Sequence, residues 1–217
     1  MKTARKLVGI EYFRVVAAFL VVAIHCSPLL TYSETADFIF TRVLARVAVP
    51  FFFMVTGYFV VGQPEKTGNF LKKTGIIYLV SILLYLPLNL YAGNLKGLTP
   101  ASAVTQLLFE GTFYHLWYLP AALLGVLVAS LLARSRAGLG IAGALYLLGL
   151  LGDSYWGLVS GMPVVSDVYG VIFCVAGYTR NGLFFAPLFL LLGASMRSVK
   201  LPAKGASAAG LAASFAL

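Results

Sequence analysis

Apolar stretches as long as a bilayer is thick recur along this chain, and nothing else in the sequence restricts its fold as much. A crossing helix needs about 20 mostly apolar residues. Such stretches occupy residues 7–28, 43–62, 74–91 and 116–133, the second preceded by an expected interfacial turn at 37–42. Residues 138–152 and 182–196 form shorter ones, and a seventh opens near residue 205 and is still running at Leu217. The expected fold class is an all-α polytopic membrane protein with six complete transmembrane helices and the start of a seventh. Residues 1–217 read as one membrane-embedded domain, incomplete because it stops inside a span. Only 11% of the residues are charged, against about 25% in a soluble domain. That argues against a soluble enzyme, a disordered chain or a nucleic-acid-binding module.

The net charge of +9 has a location that explains it. Lys2, Arg5 and Lys6 precede the first span, and Lys66, Lys72 and Lys73 separate the second from the third. Arg134 and Arg136 follow the fourth, and Arg197, Lys200 and Lys204 the sixth. Alternate loops carry Glu34, Asp37, Glu110, Asp153 and Asp167 instead. Basic loops stay on the cytoplasmic side, which puts the N-terminus in the cytoplasm. The same rule decides residues 164–177, which are apolar enough to tempt a further crossing. A crossing there would carry Arg197, Lys200 and Lys204 outside, so the segment is assigned to a long outer loop, 153–180. Cys26 and Cys174 are too few for a disulfide framework and read as packing residues. Glu11, Arg14 and His25 interrupt the first apolar run, unlike a cleavable signal peptide. No phosphate-binding loop, dinucleotide fingerprint, zinc-protease motif or nucleophile elbow occurs, which leaves a nucleotide-driven pump and a zinc protease without support; no carboxylate or Cys pattern completes a metal site with the two histidines, and no bound cofactor is expected.

Polar groups inside apolar spans are costly and are functional candidates by default. Arg14 and His25 lie 11 residues apart in the first span. At about 100° and 1.5 Å per residue they share a face, about 16 Å apart along the axis, with Glu11 within about 60° of the same stripe. The bland alternative is an interfacial Glu11–Arg14 pair and a satisfied core histidine. Arg42 and Arg46 stand one turn apart at the outer end of the second span, followed by Pro50 and the run Phe51-Phe52-Phe53-Met54-Val55-Thr56-Gly57-Tyr58. The Phe residues read as a packing face. Arg46 on the outer side runs against the charge rule and needs a carboxylate, phosphate or anionic substrate as partner. Tyr114-His115-Leu116-Trp117-Tyr118-Leu119 opens the fourth span, with His115 at the level of His25 and Tyr118 in an interfacial aromatic belt. Arg42, Arg46, Arg180 and His115 are expected to share an outer vestibule.

In this order, Arg14 with His25, the Arg46-to-Tyr58 stretch and His115-Leu116-Trp117-Tyr118-Leu119 resemble the membrane acyltransferase-3 family. Three further stretches look most like the N-terminal membrane domain of vancomycin-resistance-type serine/alanine racemases. They are Tyr12-Phe13-Arg14 through Ile24-His25-Cys26-Ser27-Pro28, Leu151-Gly152-Asp153-Ser154-Tyr155-Trp156-Gly157, and Tyr178-Thr179-Arg180-Asn181-Gly182-Leu183-Phe184-Phe185-Ala186-Pro187.

The resemblance implies a full bundle of about ten helices in the bacterial plasma membrane. It implies transfer of an acyl group, acetyl above all, from acyl-CoA to a hydroxyl of an envelope glycan or small acceptor. Arg14 and His25 match positions that the family needs for activity. In the racemase-linked branch a soluble pyridoxal-phosphate domain follows the membrane part, here beyond Leu217, and the membrane part handles serine. The residue reading fits acyl transfer. His25 is the base for an acceptor hydroxyl, and Arg14, with Glu11, faces the donor from the cytoplasmic side. Arg42, Arg46, His115 and Arg180 bind substrate. The alternatives are a serine-handling membrane domain with no acyl transfer, in which Arg46 or Arg180 binds a carboxylate, and a non-catalytic anchor. No nucleic acid enters any of these readings.

Overall fold

A computed structural model describes residues 8–198, helices joined by turns with no strand among them. The seventh stretch near residue 205 and the basic residues Lys2, Arg5, Lys6, Lys200 and Lys204 lie outside the described residues. Four helices are long and apolar enough to cross a bilayer: α1 (Val8–Cys26), α2 (Glu34–Val60), α3 (Pro64–Tyr91) and α5 (Tyr114–Leu132). Between α3 and α5 runs the short α4, residues 100–110. Three shorter apolar helices complete the order with one small turn: α6 (Gly138–Gly152), α7 (Trp156–Val159), α8 (Pro163–Ala176) and α9 (Ala186–Ser195).

Local chemistry sets the breaks. Ser27 takes the left-handed backbone conformation (φ 44°) ahead of Pro28, and α1 ends there. Asp37 is buried and accepts the Leu29 N–H at 2.9 Å, fastening the α1–α2 connection, so this carboxylate is structural. Gly62 (φ 75°) turns the chain, and Pro64 starts α3 at a position where a missing N–H costs nothing.

Two expectations need correction. No turn interrupts 37–42. The chain stays helical there, widening to a π-helix at Ile39–Leu44 and tightening to a 3-10 turn at Ala45–Val47 before regular helix resumes. Residues 182–185 do not join the sixth stretch, because 177–185 are taken up by turns and only Ala186–Ser195 are helical. Gly138–Gly152 has the expected bounds, and 153–180 is a long connection carrying α7 and α8.

The core is built around α9, which packs on α2, α5 and α6. Phe53, Val61, Val126, Leu190 and Leu191 fill it among Ala121, Ala122, Ala129, Ala142 and Ala186. Small side chains let these helices approach closely. The closest approach is between α2 and α9. A Cβ at Gly57 would stand 2.7 Å from the Leu190 Cα, and one at Gly193 would stand 2.8 Å from the Met54 Cα. Each helix therefore uses a glycine to admit the other's backbone. Tyr118 packs on this core, its ring 4.8 Å from Phe53, instead of standing in a belt. Helix α1 lies to one side against α2, with Ala17 its one buried residue. Cys26 and Cys174 are free, as expected, but exposed and not packed.

Candidate functional site

The α1 stripe ends at His25, in the last turn of its helix. A 3-10 turn, Tyr114–Trp117, brings His115 against it from the start of α5. The two imidazoles meet edge to face with centroids 4.6 Å apart. Tyr114 flanks both rings, at 6.1 Å from His25 and 4.9 Å from His115. Arg46, in the 3-10 turn of α2, is close enough for its charge to act on His25 and to feel Arg42, Arg180 and Asp153. This corner of the bundle therefore concentrates positive charge around a pair of imidazoles.

Arg180 is held firmly. Its Nε and Nη2 both donate to Asp153 Oδ2, at 3.0 and 2.6 Å. The loop that carries it is built on Asn181, which is fully buried. The Asn181 side chain donates to the Tyr178 carbonyl at 2.6 Å and accepts from the Leu183 and Phe184 N–H groups at 2.8 and 3.1 Å. Thr179 donates to the Gly149 carbonyl, and Tyr169 of α8 to the Leu148 carbonyl, both at 2.7 Å. These bonds dock the loop on the end of α6.

A cavity of about 520 Å³ opens beside Arg180, lined also by Glu110, Tyr178, Tyr114, Trp117 and Gln106. Glu110 ends a π-helical turn, Gln106–Glu110, and Gly111 follows with φ 80°. The segment is tied to α3: Tyr78 donates to the Leu107 carbonyl at 3.0 Å and Asn89 to the Thr112 carbonyl at 2.9 Å. A second hollow of about 340 Å³ lies on the other side of Glu110, against Thr105, Phe173 and Gly177. Burial pushes the Glu110 carboxyl above the usual carboxylate range. Burial also makes Tyr178 a weaker acid, although nearby Arg180 opposes the effect.

The other end of α1 is different. Arg14 Nη1 donates to Glu11 Oε1 at 2.8 Å, and both side chains are substantially exposed. The Arg14 Cζ stands 5.7 Å from the centroid of the Phe59 ring, a cation–π contact. Of the residues singled out in the sequence, His25, Arg42, Arg46, His115 and Arg180 thus gather at one end, while Arg14 and Glu11 pair about 16 Å away along the helix. In the sequence Glu110 stood only as loop charge, and Asp153 and Tyr178 only as loop charge or as parts of the racemase-like stretches, none of them as a site residue. The acidic residue just ahead of the His115 motif was the available signal for Glu110. Among the described residues no group of three His, Cys, Asp or Glu side chains is placed to hold a metal ion.

A protein family described as an acyltransferase domain (acyltransferase 3) matches residues 7–216. Curated relatives include an amino-acid racemase of Enterococcus faecalis, 50% identical over 194 residues, covering 85% of this chain and 27% of the relative. A serine/alanine racemase of Enterococcus gallinarum is 42% identical over 202 residues, covering 87% of this chain and 29% of the relative. The chain thus spans little more than a quarter of the length of the curated relatives it matches. No solved structure matches it significantly.

Proposed function

Since this chain belongs to the acyltransferase-3 family, with apolar helices that make it a membrane protein, we propose that it moves an acyl group from a CoA thioester to a hydroxyl of a cell-envelope acceptor. Acetyl-CoA is the first donor to test. The observation that carries the reading is the separation along α1: an exposed, charge-paired Arg14 at one end and the His25–His115 pair within reach of the Arg46 charge at the other. The transfer needs a base for the acceptor hydroxyl and donors for the oxyanion. His25 takes the hydroxyl proton as the new C–O bond forms. The C–S bond then breaks and the proton passes to the leaving thiolate. Arg46 and His115 stand nearby to stabilise negative charge. Arg14, held by Glu11, meets the phosphates of the carrier, and a pantetheine arm has roughly the reach to connect the two ends.

The charge rule supports a cytoplasmic N-terminus in a bacterial plasma membrane, which puts Arg14 on the side where CoA is found. In a background lacking Cys26 and Cys174, Glu34→Cys and Asp167→Cys label with an impermeant thiol reagent from outside, whereas Lys66→Cys and Arg134→Cys do not. Labelling of Asp167→Cys from the cytoplasmic side alone sinks this orientation.

The racemase names of the relatives favour a second reading, a membrane domain that handles serine without acyl transfer and precedes a soluble racemase domain. One experiment separates the two. Acetyl-CoA binding and acyl transfer are measured in purified protein, beside serine uptake in cells, for wild type, His25→Ala and Arg14→Ala. Acyl transfer lost in His25→Ala supports the first reading. Serine uptake that depends on both residues, in a protein that neither binds acetyl-CoA nor transfers acetyl, replaces it with the second.

A further inference from the structure

The larger cavity carries a charge that its own walls do not balance. Arg180 is neutralised by Asp153 through two bonds to one carboxylate oxygen. Glu110, on the same lining, makes no hydrogen bond or ion pair with any described residue. It stands between two hollows of about 520 and 340 Å³. Its carboxylate occupies the place where a side chain on residue 177 would project, and Gly177 adopts φ 68°, a conformation that favours glycine. Gly177 ends α8, its N–H bonded to the Phe173 carbonyl, and its lack of a side chain leaves room for this carboxylate. A carboxylate partly removed from water and lacking a countercharge is costly, and its raised pKa reports the same deficit.

The remaining walls say which countercharge fits. Phe113, Tyr114, Trp117 and Tyr178 all line the larger cavity. Tyr85 stacks on Phe113 at 4.7 Å and holds that ring in place. Aromatic faces with one carboxylate are the chemistry that recognises organic ammonium groups. A metal ion would require several ligands, and among the described residues no such group exists. The polar side chains of Gln106 and of Asn94, which donates to Asn89 Oδ1 at 3.0 Å, also line the cavity.

We propose that this cavity is a subsite for the ammonium group of a small organic ligand, with Glu110 as its countercharge and the rings of Tyr114, Trp117 and Tyr178 as its walls. The subsite goes beyond the acyl-transfer reading, because it concerns binding alone.

The chain has two tryptophans, so Trp156→Phe leaves Trp117 as a single fluorescence reporter on the cavity wall. Choline and its neutral tert-butyl analogue, which replaces nitrogen by carbon, are titrated against the purified protein in detergent. Choline binds with a Kd about tenfold lower than the analogue, consistent with an ion pair and cation–π contacts acting together. Glu110→Gln removes that preference, and Glu110→Asp keeps part of it. Tyr114→Leu, at a side chain 75% exposed and so tolerant of change, weakens choline several-fold without disturbing the fold. Equal affinity for the two probes, or a preference that survives Glu110→Gln, overturns the proposal. If Glu110→Gln does not fold, the Glu110→Asp and Tyr114→Leu titrations decide, and unchanged choline binding in both overturns it. A protein that binds choline selectively and transfers no acetyl group refutes the acyl-transfer reading and leaves the subsite standing; acetyl transfer without ammonium selectivity does the reverse.

Discussion

The two ends of α1 bury little and carry charge, yet they are built in opposite ways. At the Arg14 end the helix is regular, the charge is satisfied by Glu11 one turn away, and the neighbour is an aromatic ring. At the His25 end almost nothing is regular. Ser27 is left-handed, α2 widens and then tightens beside Arg42 and Arg46, His115 sits on a 3-10 turn, and Glu110 ends a π turn. Regular helix aims side chains at fixed angles, so an extended carrier can be met by one arginine on a straight rod. Converging imidazoles, guanidinium groups and a carboxylate from separate elements on one small space requires departures from that geometry, and such departures cluster at functional sites.

The contrast breaks most sharply at the histidine. His25→Ala lowers acyl transfer by about 10²–10⁴-fold, the usual contribution of a general base, while acetyl-CoA still binds. Arg14→Ala weakens acetyl-CoA binding first. If each variant loses binding and turnover in equal proportion, the two ends are not separate in function. Asn181→Ala comes next. It strips three hydrogen bonds from a fully buried amide, and leaving such groups unpaired costs about 1–3 kcal/mol each. Thermal unfolding in detergent reads the loss, and an unchanged midpoint shows that the Arg180 loop is not held in this way. Arg46→Ala lowers activity about tenfold or more at normal membrane abundance, because a charged hydrogen-bonding group is worth roughly 1.5–3 kcal/mol. Arg46→Lys restores part of it at best, since a lysine lacks the guanidinium fork. Loss of the Arg46→Ala protein from the membrane would make the residue structural instead.

The smallest effect is a pH dependence. Burial raises the folded-state pKa of Glu110, so the folded protein holds that proton more tightly than the unfolded chain does. The associated stability is full below the unfolded value of about 4.3 and is lost as pH rises through the higher folded value. Wild type therefore loses stability relative to Glu110→Gln as the pH climbs out of the carboxylate range. Parallel melting curves for the two proteins across that range would remove Glu110 from the buried side of the site.

Much of this architecture was legible in the chain, and what was not has a physical reason. Gly138–Gly152 was readable to its bounds because Arg134 and Arg136 precede it and Asp153 follows it. The level shared by His25, Arg42, Arg46, His115 and Arg180 was readable from the order of spans and loops, whereas helical phase spoke only for the α1 stripe and for Arg42 beside Arg46. The π segment in α2 was not, because a wider turn leaves no mark in composition and apolar residues continue through it. The anchoring of 177–185 was hidden for another reason. Thr179 and Asn181 are ordinary polar residues whose role lies in the backbone carbonyls of Gly149 and Tyr178, partners that no sequence pattern announces. Glu110 was visible only as one acid among five on its side, since its isolation depends on which neighbours lack a charge.

The glycine crossing of α2 and α9 has a mechanical consequence. Where two backbones touch through Gly57 and Gly193, neither helix can slide or roll without collision, so the crossing acts as a fulcrum. The arm of α2 beyond it reaches about 20 Å to the π segment at Ile39–Leu44. A π turn is one residue of slack in the hydrogen-bond ladder. Passing that slack along the arm by a single step rotates the side chains it traverses by about 100°, with the fulcrum unmoved. The arginines of α2 thus stand on an arm clamped at the glycine crossing and fastened again at Asp37, with its widest turn at Arg42 itself.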